Sequence, residues 1–197
     1  MDFYESQARM QGFTFVAGVD EAGRGPLAGP VAAAAVIFPE NYRNREIRDS
    51  KKLSASKREE LFDIIIVDAL SVGLAFVEPS VIDRINILKA SLLAMKKAVL
   101  NLDFPPDFLL VDGLNTIDVP FPQKPIVKGD DLSISVAAAS IIAKVSRDHL
   151  MNRYHVQYSQ YNFVRNKGYA TTEHREAISK YGTCKIHRKS FKIKFGT

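Results

Sequence analysis

Carboxylates recur in this sequence where apolar runs come to an end. Asp20 and Glu21 close the run Phe13–Val19, Asp112 closes Phe108–Val111, and Asp130 and Asp131 stand just ahead of a helix expected from Ser133. Apolar runs are drawn inward, so the acids at their ends converge if the strands lie side by side, and at neutral pH they repel one another. A hard divalent cation with oxygen ligands, such as Mg²⁺, supplies the missing counter-charge. Two such ions about 3.5–4 Å apart can hold the attacking and the leaving oxygen of an in-line phosphate displacement. Each acid alone also has a plainer use as a loop residue or helix cap, and Asp131 is read as a bystander of that sort.

The segment Gly23-Arg24-Gly25-Pro-Leu-Ala-Gly29-Pro30 directly follows the acid pair. Glycines let the backbone approach a phosphate or sugar, and successive N–H groups can form an anion nest; a tight turn is the ordinary alternative. A dinucleotide-binding turn is disfavoured, because Pro26 and Pro30 would interrupt the helix it must open. No Gly-Lys-Ser/Thr follows, so it is not a P-loop either. Lys51, Lys52, Lys144 and Arg147, with Arg188 and Lys189 in the tail, are read as a groove for a duplex backbone. Lys144 and Arg147 are three residues apart on an expected helix and so share a face, for which simple solvation is the alternative. His174 and His187 are read as structural or hydrogen-bonding groups, since hard-ion sites favour oxygen.

These residues need elements to position them. Apolar runs predict strands over 13–19, 31–38, 70–77 and 108–111, with a short fifth at 126–127. Helices are predicted from Ser54 or Ser56 to about Asp68, continuously from Ser80 to about Leu102, over 133–158, and near Thr172–Lys180. Strands first and then a strand–helix alternation indicate an α/β fold, a mixed sheet covered by helices. Residues 1–197 read as one domain, of which about 160–197 is a helical and loop extension ending in a basic tail.

The 27 Lys and Arg exceed the 22 Asp and Glu, giving a net charge of +5 that suits a polyanionic partner. Cys184 is the only cysteine, which rules out an internal disulfide and fits a reducing compartment. The N-terminus MDFYESQARM has no apolar run, and no apolar stretch approaches the roughly 18 residues of a membrane span. A cytoplasmic, monomeric protein is expected.

The string Gly18-Val-Asp-Glu-Ala-Gly-Arg-Gly-Pro-Leu-Ala-Gly-Pro-Val31 resembles the opening motif of the type 2 ribonuclease H family. The resemblance continues in family order through Asp49-Ser-Lys-Lys-Leu-Ser54, Val111-Asp-Gly113, Lys128-Gly-Asp130 and Ser135-Val-Ala-Ala-Ala-Ser-Ile-Ile-Ala-Lys-Val-Ser-Arg-Asp148. It ends with Lys167-Gly-Tyr-Ala-Thr171, His174 and His187-Arg-Lys-Ser-Phe191, where relatives commonly show two arginines. It implies an RNase H-like fold, a mixed five-stranded sheet flanked by helices with a small helical C-terminal region. It also implies that Asp20, Glu21 and Asp112 bind metal and that Asp130 is the fourth catalytic acid. By the same resemblance, Gly23, Arg24 and Gly25 sense the ribose 2′-OH through their backbone, and Tyr169 packs at the RNA–DNA junction. The implied activity is endonucleolytic: hydrolysis of the RNA strand of RNA–DNA hybrids, and cutting 5′ of single ribonucleotides in duplex DNA. Products would carry 3′-OH and 5′-phosphate, with two Mg²⁺ or Mn²⁺ ions at the site. The related type 3 enzymes generally carry an extra N-terminal domain, and only a short segment precedes the first strand here.

Overall fold

Residues 2–193 are described by the computed structural model, so the end of the basic tail, 194–197, lies outside them. The chain begins with a helix that no apolar repeat announced, α1 (Phe3–Met10), then strands β1 (Val16–Ala22) and β2 (Val31–Ile37). Helix α2 (Ala55–Asp68) starts at Ser54, whose hydroxyl accepts from the Lys57 N–H at 3.2 Å. Strand β3 (Ser71–Val77) follows, then α3 (Pro79–Ile85), α4 (Ile87–Leu100), β4 (Phe108–Asp112) and β5 (Gln123–Ile126). A single turn, α5 (Gly129–Leu132), leads into the long α6 (Ile134–Gln157), capped by Ser133. The C-terminal region adds α7 (Phe163–Asn166) and α8 (Thr172–Tyr181).

The sheet is mixed and five-stranded, in the order β3-β2-β1-β4-β5. β1, β2 and β3 form an antiparallel meander, whereas β4 and β5 join parallel to β1. All seven residues of β2 are buried, because helices cover both faces. Ala33, Ala35 and Ile37 pack with α4, while Ala34 and Val36 pack with α6. Small side chains on both partners let α6 lie very close to the sheet. At Gly18 even a methyl group is impossible, since a Cβ would stand 2.1 Å from the Ser135 carbonyl carbon.

Three local expectations are revised. β1 runs through the acids instead of stopping before them, because its ladder with β2 continues to Asp20↔Ala34, Glu21↔Ala33 and Ala22↔Ala32. The single helix expected over 80–102 is two, broken at Asn86 with φ 69° and ψ 166°. The Asn86 side chain accepts from the Lys89 N–H and caps α4, so the break is a designed start rather than a kink. The apolar repeat spans both helices, and repeat spacing is blind to a one-residue change of direction. The fifth strand is Gln123–Ile126 and contains Pro125, which an edge strand tolerates. Among the described residues no helix is long and apolar enough to cross a membrane.

Candidate active site

Register brings the first acids together. β1 and β4 pair in parallel with Val19 opposite Val111, so the next residues, Asp20 and Asp112, fall side by side at the strands' carboxyl ends. Strand alternation sends Asp20 to the α6 face, with Gly18, and Glu21 to the α4 face. At the open end of the sheet both reach a cleft of about 390 Å³, which Asp112 also lines. Glu21 and Asp112 further border a second hollow of about 340 Å³ walled by Leu88, Leu92 and Met95 of α4.

Asp20 is buried, and its Oδ1 accepts from the Glu21 N–H at 2.6 Å. Burial pushes its carboxyl well above the usual carboxylate range, and the charges of Glu21 and Asp112 push the same way. Burial raises Glu21 too, against the Arg24 guanidinium 3.2 Å away. Asp112 is raised by burial, with the Asp130 charge adding and the Gly129 N–H, 2.7 Å from its Oδ1, opposing. That same N–H ties α5 to the end of β4, which carries buried Asp130 into the neighbourhood. Lys51 bridges the group, its Nζ 3.1 Å from Asp130 and 4.0 Å from Asp49. Asp131 pairs with Lys52, and of this group only Lys51 lines the cleft itself, with Asp130 behind it. Among the described residues no three acidic, histidine or cysteine side chains form a preassembled cage. The donor chemistry fits a hard divalent cation all the same: oxygen ligands only, buried, and mutually repelling.

The glycine loop lies along one wall. Gly23 has φ +94°, and a Cβ there would stand 2.0 Å from the Arg147 Nε. Arg147 is fully buried beneath the loop and donates to the carbonyls of Pro30, Ala28 and Lys167 at 2.9–3.0 Å. The expectation that it contacts a phosphate in the groove is therefore corrected. A three-residue step on a helix leaves two side chains about 60° apart, enough here for Lys144 to reach the cleft while Arg147 turns under the loop. Arg188 is likewise buried, donating to the carbonyls of Gly29, Arg24 and Gly23 at 2.9, 2.9 and 2.6 Å. Burial, with the Arg147 charge second, lowers Arg188 to about 9, so it stays a cation at neutral pH. The expected basic groove thus contracts to Lys51 and Lys144, joined by Arg24 and Arg58. Lys144 also pairs with Asp148 at 2.7 Å. Arg58 was missed from sequence; it donates to the Ser50 and Leu53 carbonyls, and its sole hint was a place just after the Asp49–Ser54 block. The Ser50 and Ser140 hydroxyls, 2.9 Å apart, join that block to α6.

Tyr169 is half-exposed, lines the cleft, and sits across from Gly25, where a Cβ would be 3.7 Å from its ring. Its carbonyl is 2.8 Å from His174 Nδ1, and His174 Nε2 is 3.1 Å from His187 Nε2. The Cys184 N–H donates to His187 Nδ1, so the proton of His187 resides on Nε2 and faces His174. His174 must then carry its proton on Nδ1, donating to Tyr169. Burial lowers both rings, with the His174 charge a second cause for His187, which falls to about 4. Both are neutral hydrogen-bonding groups, as their sequence context indicated.

A mixed sheet with acids at the ends of two parallel neighbours, under a long helix, defines a nuclease of the ribonuclease H fold class. The family model for ribonuclease HII matches residues 17–194. Ribonuclease HII of Syntrophus aciditrophicus is 62% identical over 194 residues, covering 98% of this chain and 92% of that protein. Among solved structures, ribonuclease H2 of Pyrococcus horikoshii superposes with a TM-score of 0.75 at 28% identity, over 90% of this chain and 94% of that one. The RNase HII of Archaeoglobus fulgidus, solved in complex with PCNA, gives 0.77 at 26% identity, over 93% and 98%. The chain belongs to the ribonuclease HII family and is an endonuclease, a phosphodiester hydrolase.

Proposed function

We propose that this enzyme hydrolyses the RNA strand of RNA–DNA hybrids and cuts 5′ of single ribonucleotides embedded in duplex DNA, leaving 3′-OH and 5′-phosphate ends. One observation carries the reading: a single cleft is lined by Asp20, Glu21 and Asp112 on one side and by the Gly23–Gly25 loop and Tyr169 on the other. Phosphate chemistry and sugar recognition then act on the same nucleotide.

Asp20, Glu21, Asp112 and Asp130 are the residues that would hold Mg²⁺ or Mn²⁺, two ions in all. Such ions, when bound, supply charge neutralisation at the phosphate and a water of lowered pKa. The chain's own groups prepare the site. The Glu21 and Gly129 amides fix carboxylate oxygens of Asp20 and Asp112, and Lys51 holds Asp130. Arg24, Lys51 and Lys144 offer positive charge to flanking phosphates, which positions the duplex without reading its sequence. Arg147 and Arg188 have no such part, being buried, whereas Lys52 stands outside the cleft beside Asp131. The loop amides donate to the 2′-oxygen, the group that separates ribose from deoxyribose, and the Tyr169 ring packs on the adjoining sugar. We take the enzyme to be a monomeric cytoplasmic protein, with residues 1–197 one catalytic domain and about 160–197 an extension that carries Tyr169.

A labelled DNA duplex with one ribonucleotide, an RNA–DNA hybrid and an all-DNA duplex, each with Mg²⁺, Mn²⁺ or EDTA, test the proposal. Cutting 5′ of the ribonucleotide and along the hybrid, abolished by EDTA, is expected. Cleavage of the hybrid alone would reduce the reading to the type 3 activity, and cleavage of all-DNA duplex would overturn it.

A further inference from the structure

Six backbone carbonyls, five in the glycine loop and one at Lys167, are gripped by two buried guanidiniums, and the peptide units involved differ in one respect. A trans peptide points its C=O and its N–H in opposite directions, so a group that grips the oxygen of one residue aims the amide of the next. No cis peptide bond occurs among the described residues. Arg147 grips the oxygens of Ala28, Pro30 and Lys167. None of the amides behind them lines the cleft: Gly29 N–H donates to the Ile186 carbonyl, Gly168 N–H to the Asn166 side chain, and Val31 is fully buried at the start of strand β2. Arg188 grips Gly23, Arg24 and Gly29. Behind Gly29 stands Pro30, which has no N–H. Behind the other two stand the amides of Arg24 and Gly25, which make no hydrogen bond to any described residue. Both residues line the cleft with Asp20 and Tyr169.

The geometry points to Arg188 as a positioning residue for ribose recognition: without touching substrate, its guanidinium orients the Arg24 and Gly25 amides toward the sugar beside the acids. This rests on the reading of the loop as the sensor of the 2′-OH. Only arginine has the form for the task, since a planar fork reaches two adjacent carbonyls through Nη1 and Nη2 and a third through Nε. A Gly-x-Gly loop left free would sample many conformations and lose that freedom on binding; the buried clamp removes the cost before substrate arrives. The segment carrying Arg188 is itself fastened, because Asp83 accepts from the amides of Lys189 and Ser190 and from the Ser190 hydroxyl at 2.7–3.0 Å. Arg147 is an internal control: equally buried, gripping as many carbonyls, but aiming no amide of a residue that lines the cleft.

The test is binding in EDTA, followed by fluorescence anisotropy, to a DNA duplex with one ribonucleotide and to the same duplex without it. Arg188→Lys should lower the preference for the ribonucleotide duplex roughly tenfold, about what one good hydrogen bond contributes. Its affinity for all-DNA duplex and the salt slope of that affinity should stay at wild-type values, since no phosphate contact is lost. Arg147→Lys should lower the thermal unfolding midpoint and keep the preference. Where Arg188→Lys does not fold, Asp83→Ala loosens the same segment from the surface and should lower the preference in the same direction. A folded Arg188→Lys with the wild-type preference, or an Asp83→Ala indistinguishable from wild type when Arg188→Lys is unfolded, overturns the inference alone. Wild-type protein with no preference removes the sensing role of the loop, and the inference with it.

Discussion

Asp20 occupies a place that costs a carboxylate stability, buried and beside two other acids. Its raised folded-state pKa makes the sign definite. In EDTA the cost of its charge grows as pH rises through and above the usual carboxylate range, because the unfolded chain gives up that proton first. Asp20→Asn should therefore abolish cleavage yet raise the unfolding midpoint of metal-free protein by a few degrees at pH 7, about 1 kcal/mol or more. A lower midpoint than wild type would count against the electrostatic account. The basic residues separate at the same scale. Lys144→Ala should reduce the salt slope of duplex binding by about one. Arg147→Ala should leave the slope unchanged and destabilise by several kcal/mol, since three buried carbonyls lose their partner. Equal slopes for Lys144→Ala and wild type would remove Lys144 from the interface.

At the scale of elements, two backbone positions carry the arrangement. Gly18 lets α6 seat against β1, and the acids of β1 are placed by that seating. Gly18→Ala forces backbone against backbone and should cost about 3 kcal/mol or more, read by denaturant unfolding, with activity falling alongside. Asn86 joins α3 to α4 in a conformation that side chains rarely adopt, and it caps α4 as well. Asn86→Ala should cost about 2 kcal/mol by losing the cap while keeping the strain, and Asn86→Gly clearly less. If the two variants are equally stable, backbone strain at the junction is not the cause. The strand runs were legible because apolar residues in β2 and β4 are continuous and bounded. The Asn86 break was not legible, since Ile82 to Val99 keep one apolar stripe across it. Helix α1 was equally hidden: it is short, and its docking relies on buried Glu5 accepting from the Ser133 hydroxyl and the Ser135 amide, a polar contact that no hydrophobic pattern encodes.

In the whole molecule, the C-terminal region is the support beneath the glycine loop and Tyr169. Leu27 and Ala28 of the glycine loop pack with Met151, Tyr161, Phe163 and Ile186, and the histidine pair connects that core to the Tyr169 carbonyl. The relay needs both rings neutral. With His187 near 4 in the fold against 6.5 in an open chain, protons favour the unfolded state as pH falls between those values, so this contribution to stability is lost toward acid. Nitrogen NMR of the imidazoles should find the Nε2–H form for His187 and the Nδ1–H form for His174, the first persisting toward pH 4 and the second to below its usual range. Titration of either ring near 6.5 would contradict the relay. By itself the sequence determined the kinds of group available: oxygen donors at strand ends, a glycine loop after the first pair, a long helix with a charged patch. Residue type and local repeat settle such matters because they depend on neighbours in the chain. Tertiary structure alone decided that Asp20 meets Asp112, that Lys51 serves Asp130, and that Arg147 and Arg188 face inward to carbonyls. Those outcomes follow from strand register and close packing between segments distant in the chain, where a guanidinium is equally able to bind a phosphate or a peptide oxygen.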